Sequence, residues 1–279
     1  MIFNGGNDES TGAMAACWER SGGLWTLPSP GHLRAVGTHC SCRSEAASGE
    51  RVLDVACGTG IVARLAAQHV GASGHVTGLD INPGMLAVAR SLAAAQGATV
   101  EWREGDAMTM PFSDETFDVA FCQLGLQYFA ERPQALREIR RVMVPQGRLA
   151  LLVWRSIAHS PGYAALAAAL DRYVSPTAGE VMRAPFVFGD SPEELRTLLT
   201  DAGFHEVRIG ADVRMVRFAS PEAFIQYQVA GSPLAEHVAQ ADDAAREALI
   251  RDVTAAMQGY LNDEGAAFPI EGHIAVGKK

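Results

Sequence analysis

The stretch Arg51-Val52-Leu53-Asp54-Val55-Ala56-Cys57-Gly58-Thr59-Gly60 reads as a short apolar strand running into a glycine-rich turn. Beyond it, Ile61, Val62, Leu65 and Ala66 fall at helical spacing, so a helix is expected to open at Thr59 or Gly60 with these positions inward. The rhythm then repeats. His75–Asp80 is a second strand. Asn82-Pro83 is an N-cap followed by proline at the first helical position, with Met85, Leu86, Ala89 and Leu92 as the buried stripe. Thr99–Arg103 and Phe117–Cys122 are strands three and four. Arg132–Val144 is a helix with Leu136, Ile139, Val142 and Met143 inward; Pro145-Gln146-Gly147 is a turn, and Arg148–Trp154 is strand five. Strands alternating with helices predict right-handed crossovers and a mostly parallel sheet. The near-continuous apolar strands agree, because both faces of such a sheet are covered.

After Trp154 the rhythm slackens. Pro161–Tyr173 is an Ala-rich helix. Asp190-Ser191-Pro192-Glu193-Glu194 reads as a helix start, with Ser191 capping and Glu194 completing a capping box; the helix ends at Gly203. Phe204–Ile209 is strand six, Ser220–Tyr260 is helical, and Phe268–Val276 is a closing strand. One domain is expected over residues 48–279, with helical cap insertions at about 156–190 and 212–262. Residues 1–47 show neither period and read as an irregular segment, disordered or out of frame.

The bulk properties narrow the function classes. The 279 residues are 48% hydrophobic and 20% charged, ordinary for a soluble globular protein. The formal net charge of -9 makes nucleic acid a poor partner. Arg137, Arg140 and Arg141 cluster, but at helical spacing they read as a solvated face. No apolar run approaches the roughly 18 residues of a membrane span, and the N-terminus does not read as a signal peptide. Five cysteines without framework spacing fit a reducing cytoplasm. His39-Cys40-Ser41-Cys42 lacks a second ligand pair at zinc spacing, so no metal is expected.

In an open parallel sheet, ligands bind at the carboxyl ends of the strands. Strand one therefore feeds a site through Asp54, Ala56, Cys57, Gly58, Thr59 and Gly60, with free N–H groups of the helix behind. Asp80 ends strand two, 20 residues after Gly60, where a carboxylate can accept both hydroxyls of a ribose. Dinucleotide-binding folds share that spacing. They bring a pyrophosphate against G-x-G-x-x-G, whereas this loop is short, lacks the third glycine and has Asp54 just upstream. An acidic side chain there opposes a phosphate and suits a ligand bearing an ammonium and a sulfonium. S-adenosylmethionine has a ribose, an adenine, two positive centres and no phosphate.

Four runs in order, VLDVACGTG, GLDINPGMLAVAR, EGDAMTMPFSDETFDVAFC and RVMVPQGRLAL, resemble the motif set of class I S-adenosylmethionine-dependent methyltransferases. They are most similar to the branch holding ubiquinone/menaquinone C-methyltransferases and small-molecule methyltransferases. The resemblance covers about Gly49 to Lys279. It implies an α/β, Rossmann-like, doubly wound, seven-stranded sheet, mostly parallel with the last strand antiparallel, and S-adenosyl-L-methionine as cofactor. It also implies roles. Asp54, Ala56, Cys57, Gly58 and Gly60 would line the methionine part and ribose, and Asp80 would hold the ribose hydroxyls. Ile81 and Met85 would pack on adenine, Asp106 would accept from its amino group beside the Ala107 N–H, and Gln123 would face the methionine moiety. Ala56 departs from the glycine of many relatives. Relatives also place one or two lid helices before strand one, which residues 1–47 do not show.

Alternatives stay open at several positions. Asp54 can instead pin the loop through backbone N–H groups, and Asp106 can be a turn residue. Cys57 and Cys122 read as packing residues, and Asp118 as structural. No catalytic residue is assigned. Tyr128, His159 and Tyr163, just after strands four and five, are candidates for touching the small-molecule acceptor. The Ala-rich Ala164–Leu170, with Met182, Phe186, Phe188, Phe224 and Tyr227, suggests an apolar or aromatic acceptor, or simply packing. The competing functions are a non-catalytic cofactor-binding protein and an NAD-dependent oxidoreductase.

Overall fold

The computed structural model describes residues 46–230 and 232–279; the expectation for residues 1–45 lies outside them. In chain order the elements are β1 (Arg51–Val55), α1 (Ile61–Val70), β2 (His75–Asp80), α2 (Pro83–Gln96), β3 (Glu101–Glu104), β4 (Phe117–Gln123), α3 (Arg132–Val142), β5 (Met143–Trp154), α4 (Pro161–Tyr173), α5 (Pro176–Arg183), α6 (Glu193–Asp201), β6 (His205–Phe218), α7 (Pro221–Ala230), α8 (Leu234–Ala239), α9 (Asp243–Ala256), β7 (Leu261–Asn262) and β8 (Gly265–Lys278).

The strands form one sheet in the order β3-β2-β1-β4-β5-β8-β6, with the two-residue β7 paired to β8. β1 runs parallel to β2 and β4, β2 to β3, and β4 to β5, while β8 is antiparallel to β5. The doubly wound α/β sheet with an antiparallel last strand is therefore present. Its order reverses between β1 and β4, the place where such sheets open a crevice. On one face, Leu53, Leu79, Ala120, Leu149 and Leu151 pack with Leu136, Ile139 and Val142 of α3. On the other, Val52, Val76 and Val119 pack with Ala63, Ala66 and Val70 of α1. Each fully buried leucine or valine contributes roughly 1.5–3 kcal/mol.

Five local expectations need correction. In α1 the buried residues are Ala63, Arg64, Ala66 and Val70, whereas Ile61, Val62 and Leu65 are half-buried. Small side chains face the strands, and Arg64 is buried because its guanidinium reaches the Thr59 carbonyl and, through Nε, Gln96 Oε1 at 3.0 Å. Helix α6 begins at Glu193, and the expected Ser191–Glu194 capping box is replaced by an ST-turn. Ser191 Oγ accepts from the Glu193 N–H two residues on, at 3.2 Å. Pro145-Gln146-Gly147 is an irregularity within β5, not a turn before it. The register shifts between Phe117↔Met143 and Val119↔Arg148, and Gln146 takes φ 63°. β6 continues to Phe218, so period-two alternation covers residues expected to begin the second insertion. Arg141 is no solvated side chain: it bonds Glu138, Asp114 and the carbonyls of Met110 and Phe112, stapling the β3–β4 loop.

The chain divides into two compact units. The described part of one comprises residues 46–161, 183–216 and 268–279, which hold nearly all of the sheet. The other comprises Gly162–Met182 and Arg217–Ala267 and is mostly helical. Its core sets Phe224 edge-on against Tyr163 at 5.3 Å and against Phe218 at 5.0 Å. Asp252 of α9 ties α4 by accepting from Tyr173 Oη at 2.7 Å and Arg172 at 3.0 Å.

Candidate functional site

The loops that follow β1, β2 and β3 are bound to one another through their backbone groups. The β1 loop turns through three positive φ angles, at Ala56 (54°), Gly58 (54°) and Gly60 (77°). The Cys57 N–H donates to the Leu79 carbonyl at 3.0 Å, and the Gly60 N–H to the Cys57 carbonyl at 2.8 Å. Asp80 then joins two loops: Oδ2 accepts from the Gly58 N–H and Oδ1 from the Asn82 N–H, each at 2.8 Å. Its carbonyl accepts from the Gly105 N–H at 3.1 Å, which brings in the β3 loop. Asn82 caps α2 by accepting from the Gly84 and Met85 N–H groups at 2.9 and 3.2 Å. The β4 loop closes the set at Gly125, where an added Cβ would lie 2.7 Å from the Ala56 Cβ.

Gly60 and Gly78 carry no side chain because Trp102 of β3 lies over both. A Cβ would lie 2.1 Å from the indole at Gly60 and 2.6 Å at Gly78. At Gly58, by contrast, nothing lies within 4 Å of a would-be Cβ, so the loop presents open backbone there. Ile81, beside Asp80, is 68% exposed, an unusual position for a large apolar side chain. Burial pushes the Asp80 carboxyl above its ordinary range, against the pull of the Asn82 and Gly58 N–H groups.

The sequence-predicted residues fall into distinct places. Asp54 lies beneath the loop, 1% exposed, with Oδ2 accepting from the Ala63 N–H of α1 at 3.0 Å. Burial raises its pKa to about 8, so the carboxyl holds its proton at neutral pH. Asp106 forms an Asx-turn, Oδ1 accepting from the Met108 N–H at 2.8 Å, and Ala107 is buried beside it. Thr59 is buried, Met85 and Gln123 are half-buried, and Gln123 ends β4. Cys57 and Cys122 are buried free thiols; burial raises both, Cys122 to about 12, which makes them packing residues. Asp118 pairs with Arg51 through Oδ1 at 2.9 Å and accepts its backbone N–H at 2.8 Å.

Of the three acceptor candidates, Tyr128 is exposed in the β4 loop. His159, after β5, has both ring nitrogens engaged. Nε2 lies 2.9 Å from Asp190 Oδ1, and Nδ1 lies 3.5 Å from Glu271 Oε2. Tyr163 belongs to the helical unit, where it is buried against Phe224 and its hydroxyl accepts from Gln228 Nε2 at 3.4 Å. Phe188 and Phe224 are core residues, and Phe186 stacks on Trp154 at 6.3 Å.

Sequence reasoning missed Trp102, Gly125, Gln127 and Arg155. Gln127 is buried, and its Oε1 accepts from the Trp154 N–H at 3.1 Å. Arg155 pairs with Glu271 at 2.5 Å and meets His159 Nε2 at 3.1 Å. A tryptophan in a four-residue strand and a glutamine amid apolar neighbours were the available signals. Among the described residues, no group of three side chains suits a metal ion, and no helix is long and apolar enough to cross a membrane.

Residues 52–147 match the family model described as methyltransferase domain. Over 153 residues the chain is 33% identical to the 2-phytyl-1,4-naphthoquinone methyltransferase of Synechococcus elongatus, covering 54% of this chain and 58% of that one. Over 171 residues it is 36% identical to the demethylmenaquinone methyltransferase of Listeria welshimeri, covering 57% and 72%. The chain thus spans little more than half the length of the first of these curated relatives. The crystal structure of the YcgJ protein from Bacillus subtilis shares the fold, with a TM-score of 0.57, 20% identity and coverage of 89% and 99%.

Proposed function

This chain belongs to the S-adenosylmethionine-dependent methyltransferase family, and we propose that it transfers a methyl group to a small apolar or aromatic acceptor. The observation that carries the reading is Asp80. Its carboxylate is held by two backbone N–H groups between open backbone at Gly58 and the exposed Ile81. A carboxylate accepts about four hydrogen bonds, so lone pairs remain for two ribose hydroxyls. Ile81 and Met85 supply an apolar surface for adenine, with Asp106 and Ala107 at its rim and Gln123 toward the methionine part. These residues fit S-adenosylmethionine.

The bound cofactor supplies an activated methyl group on a sulfonium. The chain's own residues bind, orient and exclude water. The hydrogen-bonded β1 loop is already shaped, and this lowers the ordering cost of binding. The names of the similar proteins point to a naphthoquinone-type ring as the acceptor class.

Calorimetry with S-adenosylhomocysteine tests the assignment. Asp80→Ala is expected to weaken binding at least tenfold, about 1.4 kcal/mol, for loss of a charged acceptor. Equal affinity in wild type and variant would overturn it.

A further inference from the structure

Four of the five buried side-chain polar atoms without a hydrogen-bond partner among the described residues follow β4 and β5: Gln127 Nε2, Arg132 Nε, Arg155 Nε and Ser160 Oγ. Buried polar groups are nearly always paired, so a cluster at one sheet edge calls for an explanation. Three of the four are N–H groups, which only donate.

Gln127 is the best defined. It is 4% exposed, and its Oε1 is committed to the Trp154 N–H at 3.1 Å, which fixes which end of the amide faces β5. The Nε2 donor therefore points elsewhere, toward the Tyr128 hydroxyl, without a hydrogen bond of normal length. The same turn carries Gly125, which abuts Ala56 of the β1 loop. Gln127 thus sits between that loop and the end of β5. Arg155 is clamped by Glu271 and His159 through its terminal nitrogens, which leaves Nε as its unused donor.

We propose that Gln127 is a specificity-determining residue whose Nε2 donates to an oxygen of the methyl acceptor, with Arg155 as a second donor at the same edge. This rests on the methyltransferase reading above. The acceptor is then more than an apolar ring: it carries a carbonyl or hydroxyl oxygen that these donors read. The cofactor's carboxylate offers similar chemistry, and the experiment separates the two.

Chain saturated with S-adenosylhomocysteine is titrated with 1,4-dihydroxynaphthalene and with naphthalene, by calorimetry under anaerobic conditions. Wild type is compared with Gln127→Glu, which keeps an acceptor for the Trp154 N–H, and Gln127→Met, which keeps neither group. Near-ultraviolet circular dichroism reports whether each variant is folded, and Gln127→Glu serves if Gln127→Met is not. Wild type is expected to prefer the diol at least tenfold. Both variants are expected to lose most of that preference, with affinity for S-adenosylhomocysteine within twofold of wild type. A preference that survives both variants, or none in wild type, overturns the proposal while leaving the cofactor assignment standing. A tenfold loss of S-adenosylhomocysteine affinity in the variants instead identifies the cofactor carboxylate as the partner and also overturns it. No S-adenosylhomocysteine binding by wild type removes the methyltransferase reading itself, and this inference with it.

Discussion

The two halves of the sheet's carboxyl edge treat their polar groups in opposite ways. At β1, β2 and β3 the loops saturate one another: Asp80 takes the Gly58 and Asn82 N–H groups, and Asn82 caps α2. After β4 and β5, donors are buried and left over. The first half is shaped by its own backbone before anything arrives. The second is incomplete without an added acceptor. A site that binds one constant molecule and one variable one is well served by that division, because only the second half need change between relatives with different acceptors.

Substitutions in the saturated half should be the more damaging. Gly60→Ala sets a Cβ 2.1 Å from Trp102 at φ 77°, so it is expected to destabilise by about 3 kcal/mol, combining overpacking with left-handed strain. Urea unfolding checks this, and a loss under 1 kcal/mol would mean that Trp102 moves freely. Where the two halves meet, Gly125→Ala drives a methyl into Ala56 and is expected to cost about 2 kcal/mol. Ala56→Gly should recover about 1 kcal/mol of that, since it removes both the colliding methyl and a positive φ. Additive effects in this double-mutant cycle would show that the β1 and β4 loops are not in contact.

The next pair gives opposite signs. Asn82→Ala removes an N-cap and should lower stability by about 1 kcal/mol. Ser160→Ala removes a fully buried hydroxyl that has no partner and should raise it by up to about 1 kcal/mol. Two losses of equal size would erase the contrast between the halves. The remaining test is of pH dependence. Because burial holds the Asp54 pKa at about 8, above the roughly 3.9 of an unfolded chain, the folded state keeps an extra proton between those values. Stability from this group is thus lost as pH rises toward 8. Asp54→Asn keeps an acceptor for the Ala63 N–H and removes the titration, so its stability relative to wild type should rise between pH 5 and pH 8.

Much of the first half was legible in the sequence because its demands are local. Gly58 and Gly60 answer to backbone angles, Asn82-Pro83 to helix capping, and Asp80 to a strand end. The reason Gly60 bears no side chain was not legible, since Trp102 reaches it only after β2 has been placed between β1 and β3. Gln127 was passed over for the same reason. Its bond to Trp154 joins β4 to β5 across the sheet, and nothing in its neighbours' spacing signals an unused amide. Asp54 illustrates a different limit: its identity could be read but not its protonation, which depends on burial. The inward face of α1 was misjudged because helical spacing alone does not say that a sheet prefers Ala63 and Ala66 to larger neighbours.

The position of β8 has a consequence for the order of assembly. β6 is complete at Phe218, yet the strand beside it in the sheet starts at Gly265. At about 5–20 residues per second of synthesis, the intervening stretch takes on the order of several seconds, during which β5 and β6 are open edges. The parallel half, β3-β2-β1-β4-β5, can meanwhile form with its Asp80 cradle. The Arg155–Glu271 clamp needs the arriving strand, so the donor-rich half of the edge takes shape last, as a product of closure.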